Sequence, residues 1–215
     1  MNSRADEPFR PPGAPTAAMQ NSATGTSQTP ATRPLSASAA DNERDQRLLD
    51  RVAQRDRDAF QQLYQLYHRR LARFLVRLTR RQEIAEEIIN DTLWIVWRKA
   101  PEFRRSSLVS TWILGIAYRR GLKTLRRQQS IAAKAANDDQ LPVDESISAR
   151  ERTEWVERAL AQLPVEQRMA LELCYYMGYS HEEISQIMDC PVNTVKTRMY
   201  YARQKMKILL ARLER

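Results

Sequence analysis

From Asp45 onward the apolar positions recur at helical spacing, without the long Val/Ile alternation that marks a sheet. Leu48, Leu49 and Val52, then Ala59, Phe60, Leu63, Tyr64, Leu66 and Tyr67, predict a short helix followed by a longer one. The longer helix runs on through Leu71, Phe74, Leu75 and Leu78. A third is predicted over about residues 82–99, stopping before Pro101, and a loop at Phe103 to Ser107 leads into a fourth over about 108–127. Further helices are predicted at about 149–162, 165–177, 181–188 and 192–212, with Leu163-Pro164 marking the first break.

Between these two groups, residues 128–148 turn to Gln, Ala, Asn and Asp and then to Leu141-Pro142-Val143-Asp144, the composition of a flexible, partly acidic linker. Residues 1–43 are rich in Pro, Ala, Ser, Thr and Gln, with Phe9 the only aromatic. Such a segment buries too little apolar surface to offset its ordering entropy, so a disordered N-terminal extension is expected. A solvated tail fits its composition better than a specific binding arm. The expected fold is all-α, with residues 44–127 and 149–215 as two small helical domains. No repeat of solenoid period is present.

Residues 178–203 carry the most specific local pattern. Ser180 and Glu183 have the S-x-x-E spacing of a capping box, behind which Ile184, Ile187 and Met188 share one face. Asp189-Cys190-Pro191 breaks that helix, because proline disfavours helical geometry in the residue before it yet suits a first helical turn. In the next helix Val195, Met199, Ala202 and Met206 line one side. The other side presents Asn193, Thr197, Tyr200 and Gln204, flanked by Thr194, Lys196, Tyr201 and Arg203. A helix-turn-helix places such a second helix in the major groove of DNA.

Two faces upstream go beyond what a simple DNA-binding protein needs. On the third helix Ile84, Ala85, Ile88, Thr92, Ile95 and Val96 gather on a core side. Its far side collects Glu83, Glu86, Glu87, Asn90 and Trp94, with Leu93 and Trp97 nearby. Acidic groups repel a phosphate backbone, whereas an exposed aromatic anchor suits a protein partner. The alternative is that Trp94 and Trp97 pack on neighbouring helices, a reading that for Trp97 weighs as much as the first. On the fourth helix Ile113, Leu114, Ala117, Gly121 and Leu125 form the buried side, and Trp112, Arg119, Lys123 and Arg126 line up opposite. Arg120 and Arg127 lie nearby, and the preceding loop adds Arg104 and Arg105. A basic stripe beside an aromatic ring can track phosphates and stack on an unpaired base, although a solvated charged face has the same composition.

The formal net charge of +9 fits a polyanionic partner, and a hydrophobic content of 42% is enough for packed cores. Cys174 and Cys190, the two cysteines, make no C-x-x-C pair and imply no disulfide framework, which suits a reducing cytosol. With no apolar run of membrane-spanning length and no signal-peptide core, a soluble intracellular protein is expected. His68 and His181 are single, and His181 with Cys190 across the turn would supply only two ligands, so no metal is expected. Cys174 sits in an apolar run and reads as a small core residue. Without a Walker loop, G-x-S-x-G or H-E-x-x-H, neither an enzyme nor a cofactor is expected.

Taken together, these segments resemble the bacterial RNA polymerase sigma factors of the extracytoplasmic-function (ECF) type, within the sigma-70 family. Glu86-Glu-Ile-Ile-Asn-Asp-Thr-Leu-Trp-Ile-Val-Trp97 resembles the polymerase-binding helix of sigma region 2. Phe103-Arg-Arg-Ser-Ser-Leu-Val-Ser-Thr-Trp-Ile-Leu-Gly-Ile-Ala117 resembles its promoter-melting segment, and Leu163-Pro-Val-Glu-Gln-Arg168 with the helix-turn-helix resembles region 4. The likeness covers about residues 45–127 and 150–212.

The resemblance implies that Glu87, Asn90, Asp91 and Trp94 dock on the clamp helices of the largest subunit of core RNA polymerase. It implies that Phe103, Arg104, Arg105, Ser106 and Ser107 capture a flipped base of the downstream (minus-ten) promoter element. Trp112, Arg119, Arg120, Lys123, Arg126 and Arg127 would hold that element's strands. Asn193, Thr194, Lys196, Thr197, Arg198, Tyr200, Tyr201 and Arg203 would read and clamp the upstream (minus-thirty-five) element. Implied partners are core polymerase through its clamp helices and flap, promoter DNA and an anti-sigma factor, in the bacterial cytoplasm and on the nucleoid when active. Glu87 and Asn90 stand where the family usually has Asp and Gln, Arg119 and Lys123 where it often has Asn and Asp, and Asn193 where Gly is frequent. The second of these departures makes the promoter-facing helix more basic.

Two other readings predict different behaviour. A regulator dimerising on a palindromic operator would bind DNA tightly without polymerase, which the Trp94 face and the linker disfavour. An adaptor using the helix-turn-helix only for packing would not need the polar, basic composition of residues 193–204.

Overall fold

The computed structural model describes residues 39–135 and 151–213, with side chains over 40–130 and 156–211. Every regular element among these residues is helical: α1 (Ala39–Ala53), α2 (Arg57–Thr79), α3 (Gln82–Lys99), a single 3-10 turn (Ala100–Glu102), α4 (Val109–Ala135), α5 (Glu151–Ala161), α6 (Val165–Tyr175), α7 (His181–Met188) and α8 (Val192–Leu213). Two boundaries differ from the sequence expectation. Helix α1 begins at Ala39, so residues 39–43 of the expected tail are helical, with Asp41 in the first turn where the helix dipole favours an acid. The remainder of that tail lies outside the described residues. Helix α4 runs to Ala135 rather than ending near Arg127, because Gln128, Gln129, Ala132, Ala133 and Lys134 are all good helix formers. Residues 136–150, which include most of the expected linker, lie outside the described residues.

The first four helices pack around α2. Asp56 caps α2 by accepting from the Ala59 amide at 3.0 Å, and Arg80 ends it in the left-handed conformation, its amide donating to the Val76 carbonyl at 2.7 Å. Phe60, Leu63, Tyr67, Leu71, Phe74, Leu75 and Leu78 are buried along α2. They meet Leu49 and Val52 of α1, the α3 face of Ile84, Ile88, Ile89, Leu93 and Val96, and Ile113 and Ala117 of α4. The approach of α4 is close at Gly121, where an added Cβ would lie 2.3 Å from Leu78 Cδ2. Asp45, fully buried, is hydrogen-bonded by Tyr67 and ion-paired with Arg44 at 2.9 Å, so its charge is compensated.

Leu160, Leu163, Met169, Leu173, Ile184, Ile187, Val195, Met199 and Ala202 bury the faces of α5 to α8. These helices also pack on the first four within one continuous core. A Cβ added at Gly115 of α4 would lie 3.6 Å from the Ile187 carbonyl at the end of α7. Val109, Ser110, Thr111 and every residue from Ile113 to Tyr118 are consequently buried. The expected one-sided burial of α4 is therefore corrected: this half is covered by the α2 core on one side and α7 on the other.

Polar groups sit inside this junction. Arg168 of α6 is 6% exposed and donates to the Leu78 carbonyl of α2 at 3.1 Å. Glu172, one turn on, is 3% exposed and 3.8 Å from Arg77, whose guanidinium lies 4.0 Å over the Tyr176 ring. Burial raises the Glu172 carboxyl above its ordinary value of 4.5 and lowers the Arg168 guanidinium below its ordinary range. Arg168 Nε and Glu172 Oε2 have no hydrogen-bond partner among the described residues. Buried charge without full pairing adds little net stability to this junction.

Candidate functional site

On α3 the acidic-aromatic face is accessible. Glu87, Asn90 and Trp94 are exposed and Asp91 is half-buried, with Trp94 retaining 41% exposure. Neighbouring groups hold two of these side chains: the Tyr64 hydroxyl donates to Asn90 Oδ1 at 3.2 Å, and Arg120 Nη2 donates to Asp91 Oδ2 at 2.6 Å. Trp97 takes the packing alternative. Its ring lies edge-on to Phe60 at 5.0 Å with Arg55 5.4 Å above it. Leu93, expected near the outer face, is instead buried, as is Ile89, because α2 and α4 together cover a wider arc of α3 than the periodicity predicts.

After the 3-10 turn the chain crosses to α4 through Phe103 to Ser107. Phe103 and Trp112 meet at 5.0 Å and 45°. Arg105 takes a left-handed φ of 56°, and its Nη2 reaches both carboxylate oxygens of Asp50 at 2.9 and 2.7 Å. Arg104 and Ser106 face solvent and Ser107 is half-buried. Along α4 the basic stripe of Arg119, Lys123, Arg126 and Arg127 is exposed, while Trp112 and Arg120 are half-buried. Between α3 and α4 lies an open cleft of about 330 Å³ with Ile95, Trp112 and Ile116 as apolar walls and Lys99, Glu102, Arg119 and Arg120 around them. Aromatic and cationic groups around an apolar cleft of this size can accept an unstacked base next to its phosphate.

The helix-turn-helix forms as its spacing predicts. Ser180 Oγ accepts from the Glu183 amide at 3.2 Å and the Glu183 carboxylate accepts from the Ser180 amide at 2.8 Å, completing the capping box. Asp189 ends α7 at a left-handed φ of 53°, and the Pro191 carbonyl accepts from Thr194 and Val195 as α8 starts. On α8, Asn193, Lys196, Thr197, Tyr200, Tyr201 and Arg203 are exposed and Thr194 and Arg198 half-buried. Thr197 spends its donor on the Asn193 carbonyl at 2.9 Å, leaving its methyl and lone pairs outward. Arg198 Nη1 lies 3.4 Å from Cys190 Sγ, whose thiol is pushed up by burial. Tyr200 and Tyr201 pair edge to face at 5.5 Å.

Sequence reasoning missed the junction itself. Tyr118 and Tyr179 are each 2% exposed. Burial lifts the Tyr118 phenol to about 12, with Glu166 adding to the shift and Arg198 opposing it. Burial likewise raises Tyr179, against the opposing field of Arg70 on α2. The available signal was the width of the apolar arc on α4: Ile116 and Tyr118 fall outside the Ile113, Leu114, Ala117 face, as in a helix covered on two sides.

The family model for Sigma-70 region 2 matches residues 63–131, and that for Sigma-70, region 4 matches residues 153–206. The ECF RNA polymerase sigma factor SigM of Mycobacterium tuberculosis is 36% identical over 159 residues, covering 74% of this chain and 80% of that protein. The ECF RNA polymerase sigma-E factor of Haemophilus influenzae is 31% identical over 175 residues, covering 74% and 92%. Among solved structures, the sigma factor RpoE of Bartonella quintana, in complex with the anti-sigma factor NepR, shares the fold at a TM-score of 0.57 and 24% identity, over 71% of this chain and 96% of that one. CnrH in complex with the cytosolic domain of CnrY does so at 0.59 and 20%, over 78% and 97%. The chain belongs to the extracytoplasmic-function RNA polymerase sigma factors of the sigma-70 family.

Proposed function

We propose that this protein binds core RNA polymerase, recognises a two-part promoter and promotes strand opening. The observation that carries the reading is the order of three chemically distinct accessible faces: acidic-aromatic on α3, basic with an aromatic-lined cleft on α4, and basic with exposed tyrosines on α8. In this reading Glu87, Asn90, Asp91 and Trp94 meet the clamp helices of the largest subunit, and α5 to α8 also reach the flap. Phe103 to Ser107, Trp112, Arg119, Arg120, Lys123, Arg126 and Arg127 serve the minus-ten element; Asn193, Thr194, Lys196, Thr197, Arg198, Tyr200, Tyr201 and Arg203 serve the minus-thirty-five element. Strand opening draws on binding energy for the unstacked strand, with bond formation left to the polymerase. The protein acts in the bacterial cytoplasm, on the nucleoid when engaged, and the neighbour solved with an anti-sigma factor supports restraint by such a partner.

This role requires the junction between α4 and α7 to open. The two elements lie roughly 25 base pairs apart, about 85 Å at about 3.4 Å per pair. A compact unit the length of Arg33–Arg215 has a radius of gyration of about 16 Å, hence a span of only about 40 Å. The closed arrangement cannot reach both elements at once.

The test of the docking face is the double substitution E87A/W94A, assayed for core binding and, separately, for binding of upstream-element duplex. Loss of core binding with retained duplex binding is the expected result. Unchanged core affinity would overturn the assignment of this face.

A further inference from the structure

We propose that α1 is a positioning element for the Phe103 to Ser107 loop, with Asp50 and Asn42 setting how stringently that loop discriminates among bases; this rests on the minus-ten role proposed above. Helix α1 lies outside the residues matched by the region 2 family model, which begin at residue 63. Its inner face fixes it firmly: Leu49 and Val52 are buried in the α2 core, and the buried Asp45 is tied to Tyr67 and Arg44. Its outer side holds the loop at two points. Asp50 receives Arg105 through both carboxylate oxygens at 2.9 and 2.7 Å. Two turns earlier, Asn42 Oδ1 accepts from the Val109 amide at 3.1 Å, satisfying one of the amides that the start of α4 leaves without an intrahelical partner.

These two contacts pin the segment at residues 105 and 109, and Arg104, Arg105 and Ser106 along it are all exposed. Arg105 holds a left-handed backbone at φ 56°, a conformation that a non-glycine residue occupies at a cost and that persists when its surroundings over-determine it. Asp50 supplies one such constraint, and the Phe103–Trp112 ring contact, which anchors the start of the loop, a second. The Arg105 guanidinium, though 57% exposed, is committed to Asp50 on α1, so the loop presents Arg104 and Ser106 to nucleic acid while Arg105 sets their geometry. A preorganised loop discriminates between bases better than a mobile one, because the wrong base cannot recruit a compensating loop conformation.

The test uses the full-length chain with core polymerase on templates randomised through the minus-ten element. Asp50→Ala is expected to flatten base preference at the position served by the loop by about two-fold, the scale of an exposed ion pair. Upstream-element preference and core affinity should stay unchanged. Arg105→Ala should match it, and the double variant should be no worse than either single one, as expected for one shared contact. Asp50→Glu should retain most of the stringency. Amide hydrogen exchange supplies a readout independent of promoter function: exchange over residues 104–109 should accelerate in Asp50→Ala, and at Val109 in Asn42→Ala. Unaltered loop exchange in both variants would overturn the proposal even if transcription changed. So would a strong loss of strand binding in Arg105→Ala that Asp50→Ala does not share, because Arg105 would then be a DNA contact. A native protein with no minus-ten preference would defeat the promoter reading, while the exchange measurement would still decide whether α1 positions the loop.

Discussion

Removing the Tyr179 ring should open the protein without unfolding it. Tyr179 sits in the turn before α7, 2% exposed, with its phenol in the field of Arg70 on α2. Truncating a fully buried aromatic residue to alanine costs about 3–5 kcal/mol. If half of the lost contact is with α2 and α4, the closed form alone loses about 2 kcal/mol, and the ratio of closed to open molecules falls about 30-fold. The distance between spin labels at Gln61 on α2 and Lys207 on α8, both exposed, reads this directly once Cys174 and Cys190 have been replaced by serine. In Tyr179→Ala the distance distribution should lengthen and broaden, and the amides of Ile116 to Tyr118 should exchange faster as α7 leaves α4. Tyr179→Phe, which keeps the ring, should stay close to the parent. An unchanged distribution in a Tyr179→Ala protein of normal helix content would refute the reasoning.

Two further outcomes follow from the same packing. Because burial holds the Glu172 carboxyl above 4.5, the closed form binds its proton more tightly than an open form with an ordinary carboxyl. Closure should be strongest below about pH 4.5 and weaken as pH rises through the elevated closed-state value; Glu172→Gln should remove that dependence and favour closure at neutral pH, as read by the same labels across a pH series. Gly121→Ala should be destabilising, since the new Cβ meets Leu78 Cδ2 at 2.3 Å inside a fully buried site. Overpacking of about 1–3 kcal/mol outweighs the helix-propensity gain of about 1 kcal/mol, so thermal unfolding should shift down by a few degrees, and a raised midpoint would contradict this.

The helical content and the two groups of helices were legible in the sequence because they depend on local signals. The capping box of Ser180 and Glu183, the break at Pro191 and the apolar rows of α2 each act within a few residues. The same holds for the accessible faces: Glu87, Trp94, Arg119, Lys123 and Lys196 are exposed where helical spacing puts them. The junction was hidden because its contacts join positions far apart in the chain. Arg168 and Glu172 stand at i, i+4 on α6, a spacing that by itself signals only a local pair, yet Arg168 reaches Leu78. Arg105 looked like a free cation of the loop until folding brought Asp50 beside it. Spacing along one helix reports its own faces but not which other helix covers them, and this is why Ile116, Tyr118 and Tyr179 escaped.

The most direct test of the central claim is run-off transcription by purified core RNA polymerase, with and without this protein, on a pool of upstream fragments from the source genome. Discrete transcripts are expected only when the protein is added, each starting downstream of a shared two-part motif. No added transcript, together with no measurable core binding, would contradict it.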